Sequence, residues 1–376
     1  MIEVVEVKTR RQQREFLQFP LDLYRDNPYF VPPLWGDEKK IFRKDYVYYD
    51  TCKAVYFLAC RDGKTVGRIS GILQRVSNEI RQEKRVRFTR FDAVNDPEVA
   101  KALFAAVENW ARAQGMDTVV GPLGFSDLER EGMLIDGFDQ LSTFEEQYNA
   151  DYYPALMEAC GYQKEVDWVE SKIFPPAEDD GKLAQRAAFL MKRYDLHFGT
   201  AKNVNEFIRK YGDAFFDLLD RSYADIYGTV PFTDGMKQMM YANFRLILDL
   251  KYVAVILDKD ERLICLGLCF PALAKAMQKS QGHLTPAALV RILQAIRHPR
   301  VLDLGLVGVD PEYANRGIGA VVMAELLRML QEDGVEYAET NLNLEDNHSI
   351  RNQWKRFDAV EHKRRRSYVK KLDTEE

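Results

Sequence analysis

Hydrophobic and polar positions follow the same order of elements in two parts of the chain. In the first part, residues 54–73 predict two strands joined by an Asp-Gly turn, and residues 86–94 predict a third strand. Residues 97–115 then place apolar side chains every three to four positions, which indicates an amphipathic helix. A further strand is predicted at residues 117–123.

The second part repeats this order. Residues 251–270 predict a hairpin, and the nearly all-apolar residues 301–309 predict a buried strand. Residues 320–334 predict a helix that ends at a glycine, and residues 335–344 predict the strand after it. The repeated order predicts an α/β fold made of a duplicated unit of hairpin, strand, helix and strand.

The boundary between the two parts is predicted in the segment Phe174–Lys182. This segment contains two prolines, several acidic residues and a glycine, and it offers no apolar face to a core. We therefore predict domains at residues 1–176 and 177–376. Residues 271–300 form an insert in the second part, predicted as two helical pieces that either line a pocket or lie on the surface.

Composition narrows the class of protein. The chain has 376 residues, 46% of them hydrophobic, and a net charge of −5, which fits a globular protein without a general attraction for nucleic acid or membrane. Its five cysteines include no C-x-x-C pair, and its five histidines have no ligand spacing, so we predict no disulfide framework and no metal. No signal peptide or membrane span is predicted, and we expect a cytoplasmic protein.

A glycine-rich turn lies between the last buried strand and its helix. The sequence from Asn315 to Ala320 is NRGIGA. Glycines before a helix allow an anion to approach unpaired N–H groups, although a tight turn alone explains them equally well. Ala320 and Val321 replace the Lys-Ser or Lys-Thr of a Walker A loop, and Val322 replaces the last small residue of a Rossmann fingerprint.

The wider segment VGVDPEYANRGIGAVVMAEL resembles the acetyl-CoA-binding segment of the GNAT family of N-acetyltransferases. Two positions depart from the family pattern, because Ala314 replaces an Arg or Gln and Asn315 replaces a Gly. Asparagine tolerates a positive φ, so the turn can persist. The resemblance implies acyl-CoA binding by a set of residues in this segment: Val307, Gly308, Val309, Asn315, Arg316, Gly317, Ile318, Gly319 and Ala320.

A second segment, LNLEDNHSIRNQWKRF, resembles the part of the family that follows the fifth strand. Asn347 matches the family Asn that opens a helix near the pantetheine arm, and it joins the implied CoA site. The family often has a tyrosine seven residues later, which protonates the CoA thiolate. Trp354 is at that position and has no ionisable proton. Either the usual catalytic acid is missing, or water protonates the leaving thiolate.

Further segments, including NPYFVPPL, GPLGFS, LIDGF and YNADYYPALMEACGY, resemble a family of bacterial tandem-GNAT proteins. This resemblance implies two tandem GNAT-like domains, each a mixed, mostly antiparallel sheet flanked by helices. The first domain is expected to be degenerate, because no Gly-x-Gly follows its third strand. The second domain is expected to keep the acyl-CoA loop.

The expected activity is transfer of an acetyl group from acetyl-CoA to an amine, which needs a base. Glu339 is the candidate base, because it shares one face of the predicted strand with Asn341 and Asn343. A solvated polar face explains these residues as well. One alternative is a non-catalytic acyl-CoA-binding protein, and another is transfer from aminoacyl-tRNA. The basic run His362–Lys371 is predicted to be a solvated strand and tail.

Overall fold

The computed structural model describes residues 1–331 and 334–373. The strands in this part of the chain are β1 (Ile2–Glu6), β2 (Cys52–Arg61), β3 (Lys64–Gln74), β4 (Arg85–Ala93), β5 (Thr118–Gly121), β6 (Met133–Asp136), β7 (Gln163–Phe174), β8 (His197–Phe198), β9 (Val253–Leu257), β10 (Leu263–Pro271), β11 (Val301–Val309), β12 (Tyr337–Glu339), β13 (Asn343–Leu344) and β14 (Asp358–Lys371). The α-helices are α1 (Arg10–Leu23), α2 (Trp35–Glu38), α3 (Arg75–Arg81), α4 (Pro97–Ala113), α5 (Tyr153–Ala159), α6 (Lys182–Arg193), α7 (Val204–Tyr223), α8 (Asp234–Ile247), α9 (Ala274–Gln278), α10 (Pro286–Arg297), α11 (Gly319–Leu330) and α12 (His348–Trp354).

The chain divides into two compact units. Unit 1 comprises Met1–Val169, Ala274–Val290 and the segment from Lys363 onward, and unit 2 comprises Glu170–Leu273 and Arg291–His362. The division falls within β7, α10 and β14. The boundary predicted between residues 176 and 177 remains a prediction.

Unit 1 is a sheet with strand order β1-β2-β3-β4-β5-β14. Neighbouring strands are antiparallel except β4 and β5, which are parallel and are connected by α4. Asp96 caps α4 by accepting a hydrogen bond from the Glu98 N–H at 2.9 Å. The inner face of α4 packs its apolar side chains, among them Leu103 and Val107, against Phe88 and the rest of the unit 1 core.

Unit 2 has the strand order β7-β12-β11-β10-β9-β8. Its neighbouring strands are antiparallel except β11 and β12, which are parallel and are connected by α11. Each unit thus has an antiparallel hairpin, a third strand, a helix and a parallel strand. The predicted fold class, two units that each form a mixed, mostly antiparallel sheet flanked by helices, is confirmed.

Two predicted elements differ in the structure. The strand predicted at residues 335–344 is interrupted after Glu339. The cause is a set of tertiary contacts, because Thr340 exchanges hydrogen bonds with the Ser171 backbone and the Asn341 amide donates to the Gly305 carbonyl, in place of a ladder with β11. The basic run forms most of β14, where Arg365 is fully buried in unit 1. The predicted helix end falls partly on residues 332 and 333, which lie outside the described residues.

Candidate functional site

The second half of β11 leaves its parallel neighbour. Pairing with β12 ends at Asp303, opposite Glu339, whereas β11 continues to Val309. On the other side, the register with β10 shifts, because Val307 lies opposite Gly267 and Leu304 lies opposite Cys269. One extra residue of β11 is accommodated there, which is a β-bulge. The bulge and the end of β12 together open a gap on one side of β11.

A pocket that is open to solvent lies along this gap. It is lined by β10, β11, the segment after β12, and the helices α11 and α12. The lining is mainly apolar, with Thr340, Asn341 and Asn343 as polar groups along the segment after β12. Burial raises the pKa of the lining thiol of Cys269 to about 12, so this thiol is neutral and a poor nucleophile.

Side chains occupy the open edge of β11 where a strand partner would lie. The Tyr223 hydroxyl donates to the Val307 carbonyl at 2.9 Å and accepts from the Val307 N–H at 3.3 Å. Ser222 donates to the Val309 carbonyl at 3.0 Å, and the Asn341 amide donates to the Gly305 carbonyl at 3.2 Å. An extended ligand with amide groups can replace these bonds without leaving the strand edge unpaired.

The glycine turn ends in the first turn of α11. Gly317 has φ = +82°, a conformation that favours glycine. The N–H groups of Asn315, Gly317, Ile318 and Gly319 donate to no other group among the described residues. Because α11 is a twelve-residue helix without a side-chain cap, its unpaired N–H groups and dipole suit a phosphate.

Two arginines lie beside this turn. The Arg316 guanidinium lies 4.6 Å from the centre of the Tyr313 ring, in a cation–π contact. Arg186 of α6 has its Nη2 atom 3.9 Å from the position that a Cβ atom on Gly317 would take. Ala314 therefore removes one expected cation, but two guanidinium groups remain at the turn.

Asp310 fixes the chain between β11 and the turn. Its buried carboxylate accepts hydrogen bonds from Arg221 at 2.9 Å and from the Glu312 N–H at 3.0 Å. Burial opposes the charged form of this carboxylate, but the Arg221 and backbone hydrogen bonds outweigh it and hold the pKa of Asp310 below its usual value. The charge of Asp310 thus stabilises the folded turn.

The predicted CoA residues occupy different places around the gap. Val307 lines the pocket, whereas Gly308 lies against α7, where an added Cβ would come within 3.2 Å of the Leu218 side chain. The carbonyl of Val309 accepts from Ser222. Asn315 to Ala320 form the turn and the start of α11, beyond the pocket lining. Whether any of these residues binds CoA stays a prediction.

Asn347 and Trp354 lie at the two ends of α12. The Asn347 side chain accepts from the Ile350 N–H at 3.2 Å and caps this helix. Trp354 lines the pocket, is buried, and donates from Nε1 to Asn343 at 2.8 Å. The indole is thus a fixed wall of the pocket and cannot protonate a thiolate.

Glu339 lies next to two titratable side chains that the sequence did not indicate. Its Oε1 atom is 3.2 Å from Nε2 of His362, with both side chains buried, and the buried Asp303 is its register partner on β11. Asp303 also lies opposite Phe270, whose ring stacks on Phe244 of α8. Since directly opposed residues share a face, Glu339 is on the face covered by α8.

The pocket lies on the other face of the same sheet. Leu302 and Ala338, which oppose each other one position earlier, pack in the core formed by α11. The pocket and the Glu339–His362 pair therefore lie on opposite faces of the sheet. No sequence pattern joins His362 or Tyr223 to this place, because only the tertiary fold brings β14 and α7 next to β11 and β12.

The carboxylate of Asp310 should make stability depend on pH. Because its folded-state pKa is lowered, its contribution is complete above the unfolded value of about 4 and is lost as the pH falls toward the folded value. Asp310→Asn should therefore lower the free energy of unfolding by about 1.5 kcal/mol at pH 7 and by less at acidic pH. Denaturant unfolding of both proteins between pH 3 and pH 7 measures this. An equal loss at every pH would show that charge has no part in the effect.

Two curated proteins are similar to the chain over nearly its whole length. Protein YghO of Escherichia coli (strain K12) is 26% identical over 382 residues, which cover 96% of this chain and 93% of that protein. Bacterial ceramide synthase of Caulobacter vibrioides (strain NA1000 / CB15N) is 24% identical over 381 residues, which cover 99% and 98%. No protein-family model matches the sequence.

Solved structures give the fold. A tandem GNAT protein from the clavulanic acid biosynthesis pathway, determined without acetyl-CoA, superposes with a TM-score of 0.55 and 12% identity. The superposition covers 100% of both chains. Together with the repeated order of strands and helices in the two units, this similarity shows that the chain is a protein of the tandem GNAT fold.

Proposed function

We propose that unit 2 is an N-acyltransferase that moves an acyl group from acyl-CoA to an amine. The observation that supports this most directly is the gap between β11 and β12, next to a helix that begins with unpaired N–H groups. Such a gap accepts an extended arm, and such a helix start accepts its phosphates. Acetyl-CoA is the donor that the sequence predicts.

The donor would lie across the turn and along the open edge of β11. The N–H groups from Asn315 to Gly319 would hold the pyrophosphate, with Arg186 and Arg316 beside them. The pantetheine amides would replace the side chains that now bond to β11. The N–H of Val307, which now donates to the Tyr223 hydroxyl, would donate to the thioester carbonyl oxygen and stabilise its developing negative charge.

The acceptor amine would approach from the face of Glu339. Its nitrogen forms a bond to the thioester carbon, the carbon–sulfur bond breaks, and the amine loses a proton. The Glu339–His362 pair is proposed to take that proton, directly or through one water. Since donor and acceptor enter from opposite faces, the acyl group passes between them without a covalent enzyme intermediate.

The leaving thiolate also needs a proton, and Trp354 cannot give one. We propose Tyr223 for this step, because its hydroxyl already lies at the edge of β11 where the thioester would be. This phenol comes from α7, on the opposite side of the gap from the usual family position on α12. After transfer, the tyrosinate regains a proton, which balances the proton that the base took from the amine and then releases.

A second candidate function is transfer of a longer acyl chain to a long-chain amino alcohol. The mainly apolar lining of the pocket favours this, since hydrocarbon gains free energy when it is buried there. The relative named Bacterial ceramide synthase also favours it, because a ceramide is an amide of a long-chain amino alcohol. The chemistry at the gap is the same, and only the donor and acceptor chains differ.

Binding of the donor at the turn is tested by Gly319→Glu. The carboxylate should repel the pyrophosphate, so the thermal shift produced by acetyl-CoA or palmitoyl-CoA in the wild type should vanish. A ligand at about one hundred times its dissociation constant adds roughly 2.7 kcal/mol to stability. Gly319→Ala is the matched control, since its Cβ would meet only the flexible Gln353 side chain, at 3.4 Å.

An unchanged shift in Gly319→Glu would contradict donor binding at the turn. Binding of acyl-CoA without transfer to any amine, tested with small amines and with a long-chain amino alcohol such as sphinganine, would favour a non-catalytic acyl-CoA-binding protein.

Glu339→Gln should lower kcat by about a hundredfold or more, because the neutral amide cannot accept the amine proton. The KM for acyl-CoA should stay nearly constant, since Glu339 is on the face away from the pocket. Glu336→Gln is the control, an exposed carboxylate three positions earlier that pairs with Arg300. Steady-state kinetics on the acceptor that gives turnover measures both variants. Equal activities of the two variants would rule out Glu339 as the base.

Tyr223→Phe separates proton donation from binding. The variant keeps the ring but loses the hydroxyl, so kcat should fall by about tenfold or more. Acyl-CoA should bind as tightly as before or tighter, because the hydroxyl no longer competes for the Val307 N–H and carbonyl. Tyr241→Phe removes a hydroxyl bonded to Asp213, at 2.8 Å, and is the control. A wild-type kcat in Tyr223→Phe would overturn this role.

A further inference from the structure

The insert has a charge unlike that of the rest of the chain. Residues 271–300 contain five Lys or Arg residues and neither Asp nor Glu, in a chain whose net charge is −5. Lys275, Lys279 and Arg297 are exposed and form no ion pair with another described residue. Arg300 pairs with Glu336. The insert is therefore a basic segment, with three exposed cations free of ion pairs, in an acidic chain.

Helix α10 in this insert turns its large apolar side chains outward. Leu289, Val290 and Leu293 are 47%, 55% and 51% exposed, and Leu284, just before the helix, is 57% exposed. In contrast, Ala288 on the inner face is fully buried. At 100° per residue, the three exposed apolar side chains and Arg297 fall on one side of the helix. Contiguous exposed apolar residues of this kind mark interaction sites.

The chain before α10 is fixed within unit 1. The Gln278 amide donates to the Pro28 carbonyl at 2.7 Å and to the Phe30 carbonyl at 3.1 Å. The Trp35 N–H donates to the Gly282 carbonyl at 2.9 Å, and the Trp35 and His283 rings lie 5.1 Å apart. Leu284 follows directly, so the apolar surface begins at an anchored point of the chain.

We propose that α10 docks on the surface of an anionic lipid bilayer. Leu284, Leu289, Val290 and Leu293 would enter the boundary between headgroups and acyl chains, while the cations of the insert contact the lipid phosphates. A helix with an apolar face and basic flanks binds membrane surfaces in this way. Helix α10 has twelve residues, which is too short to span a bilayer, so it would lie in the interface. None of the helices in the described part of the chain combines the length and hydropathy of a membrane span.

The charge of the insert selects this partner over a second copy of the chain. Two copies that met through α10 would bring their cations together and would repel each other, because the insert has no acid to pair them. An anionic lipid surface attracts every one of them. The sequence predicted no membrane partner from the charge of the whole chain, and this proposal rests on how that charge is distributed.

Flotation with lipid vesicles tests the proposal and needs no acyl-CoA, so its outcome is independent of the proposed function. The full chain should float with vesicles of phosphatidylcholine mixed with phosphatidylglycerol, and much less with phosphatidylcholine alone. Leu289→Glu with Leu293→Glu should lower binding at least tenfold, since two apolar side chains no longer enter the lipid. Arg297→Glu should lower it about fivefold or more, with less effect at high salt.

Leu246→Glu is the matched control, because Leu246 is 74% exposed on α8, outside the insert. It should float like the wild type, and thermal unfolding should show that the exposed substitutions leave all variants folded. If the Leu289→Glu, Leu293→Glu variant unfolds, the loss of vesicle binding in Arg297→Glu alone tests the proposal. The proposal would be overturned if the wild type did not float at low salt. It would also be overturned if Leu246→Glu reduced vesicle binding as much as the insert variants did, or if the wild type formed a dimer that Leu289→Glu dissociated.

Discussion

The separation of β11 from β12 is the constraint on which the site depends. A parallel pair normally satisfies its backbone groups along its whole length, but here the pairing covers only the first three residues of β11. The second half of β11 then needs other partners for its N–H and carbonyl groups. Tyr223, Ser222 and Asn341 provide them. Polar side chains thus keep open a gap that a continued ladder would have closed.

The same separation gives the two faces of the sheet different chemistry. On the face of α11, the gap is lined by apolar side chains and ends near a helix start with unpaired N–H groups. On the face of α8, the register places Asp303 beside Glu339, and His362 lies within 3.2 Å of that glutamate. The proposed transfer uses this difference, with the thioester on the apolar side and the amine on the side of the carboxylate.

Charge is unevenly distributed along the chain. An overall value of −5 conceals a thirty-residue insert without a single acid. The Asp310 carboxylate beside the turn is buried and bonded to Arg221. In contrast, four of the five cations of the insert are exposed, namely Lys275, Lys279, Arg297 and Arg300. Whole-chain charge is therefore a poor guide to partners when one segment differs from the rest.

The sequence by itself determined the order of hairpin, strand, helix and strand in each unit and the turn at Gly317, because these depend on local periodicity and a positive φ. It also indicated the fold by resemblance. The tertiary structure alone decided that β12 stops at Glu339, since the competing partner Ser171 comes from β7. It also brought Tyr223 to Val307, 84 positions away in the chain, and turned the apolar side of α10 outward. Periodicity shows that a helix has an apolar side, but only packing decides whether that side faces the core or the solvent.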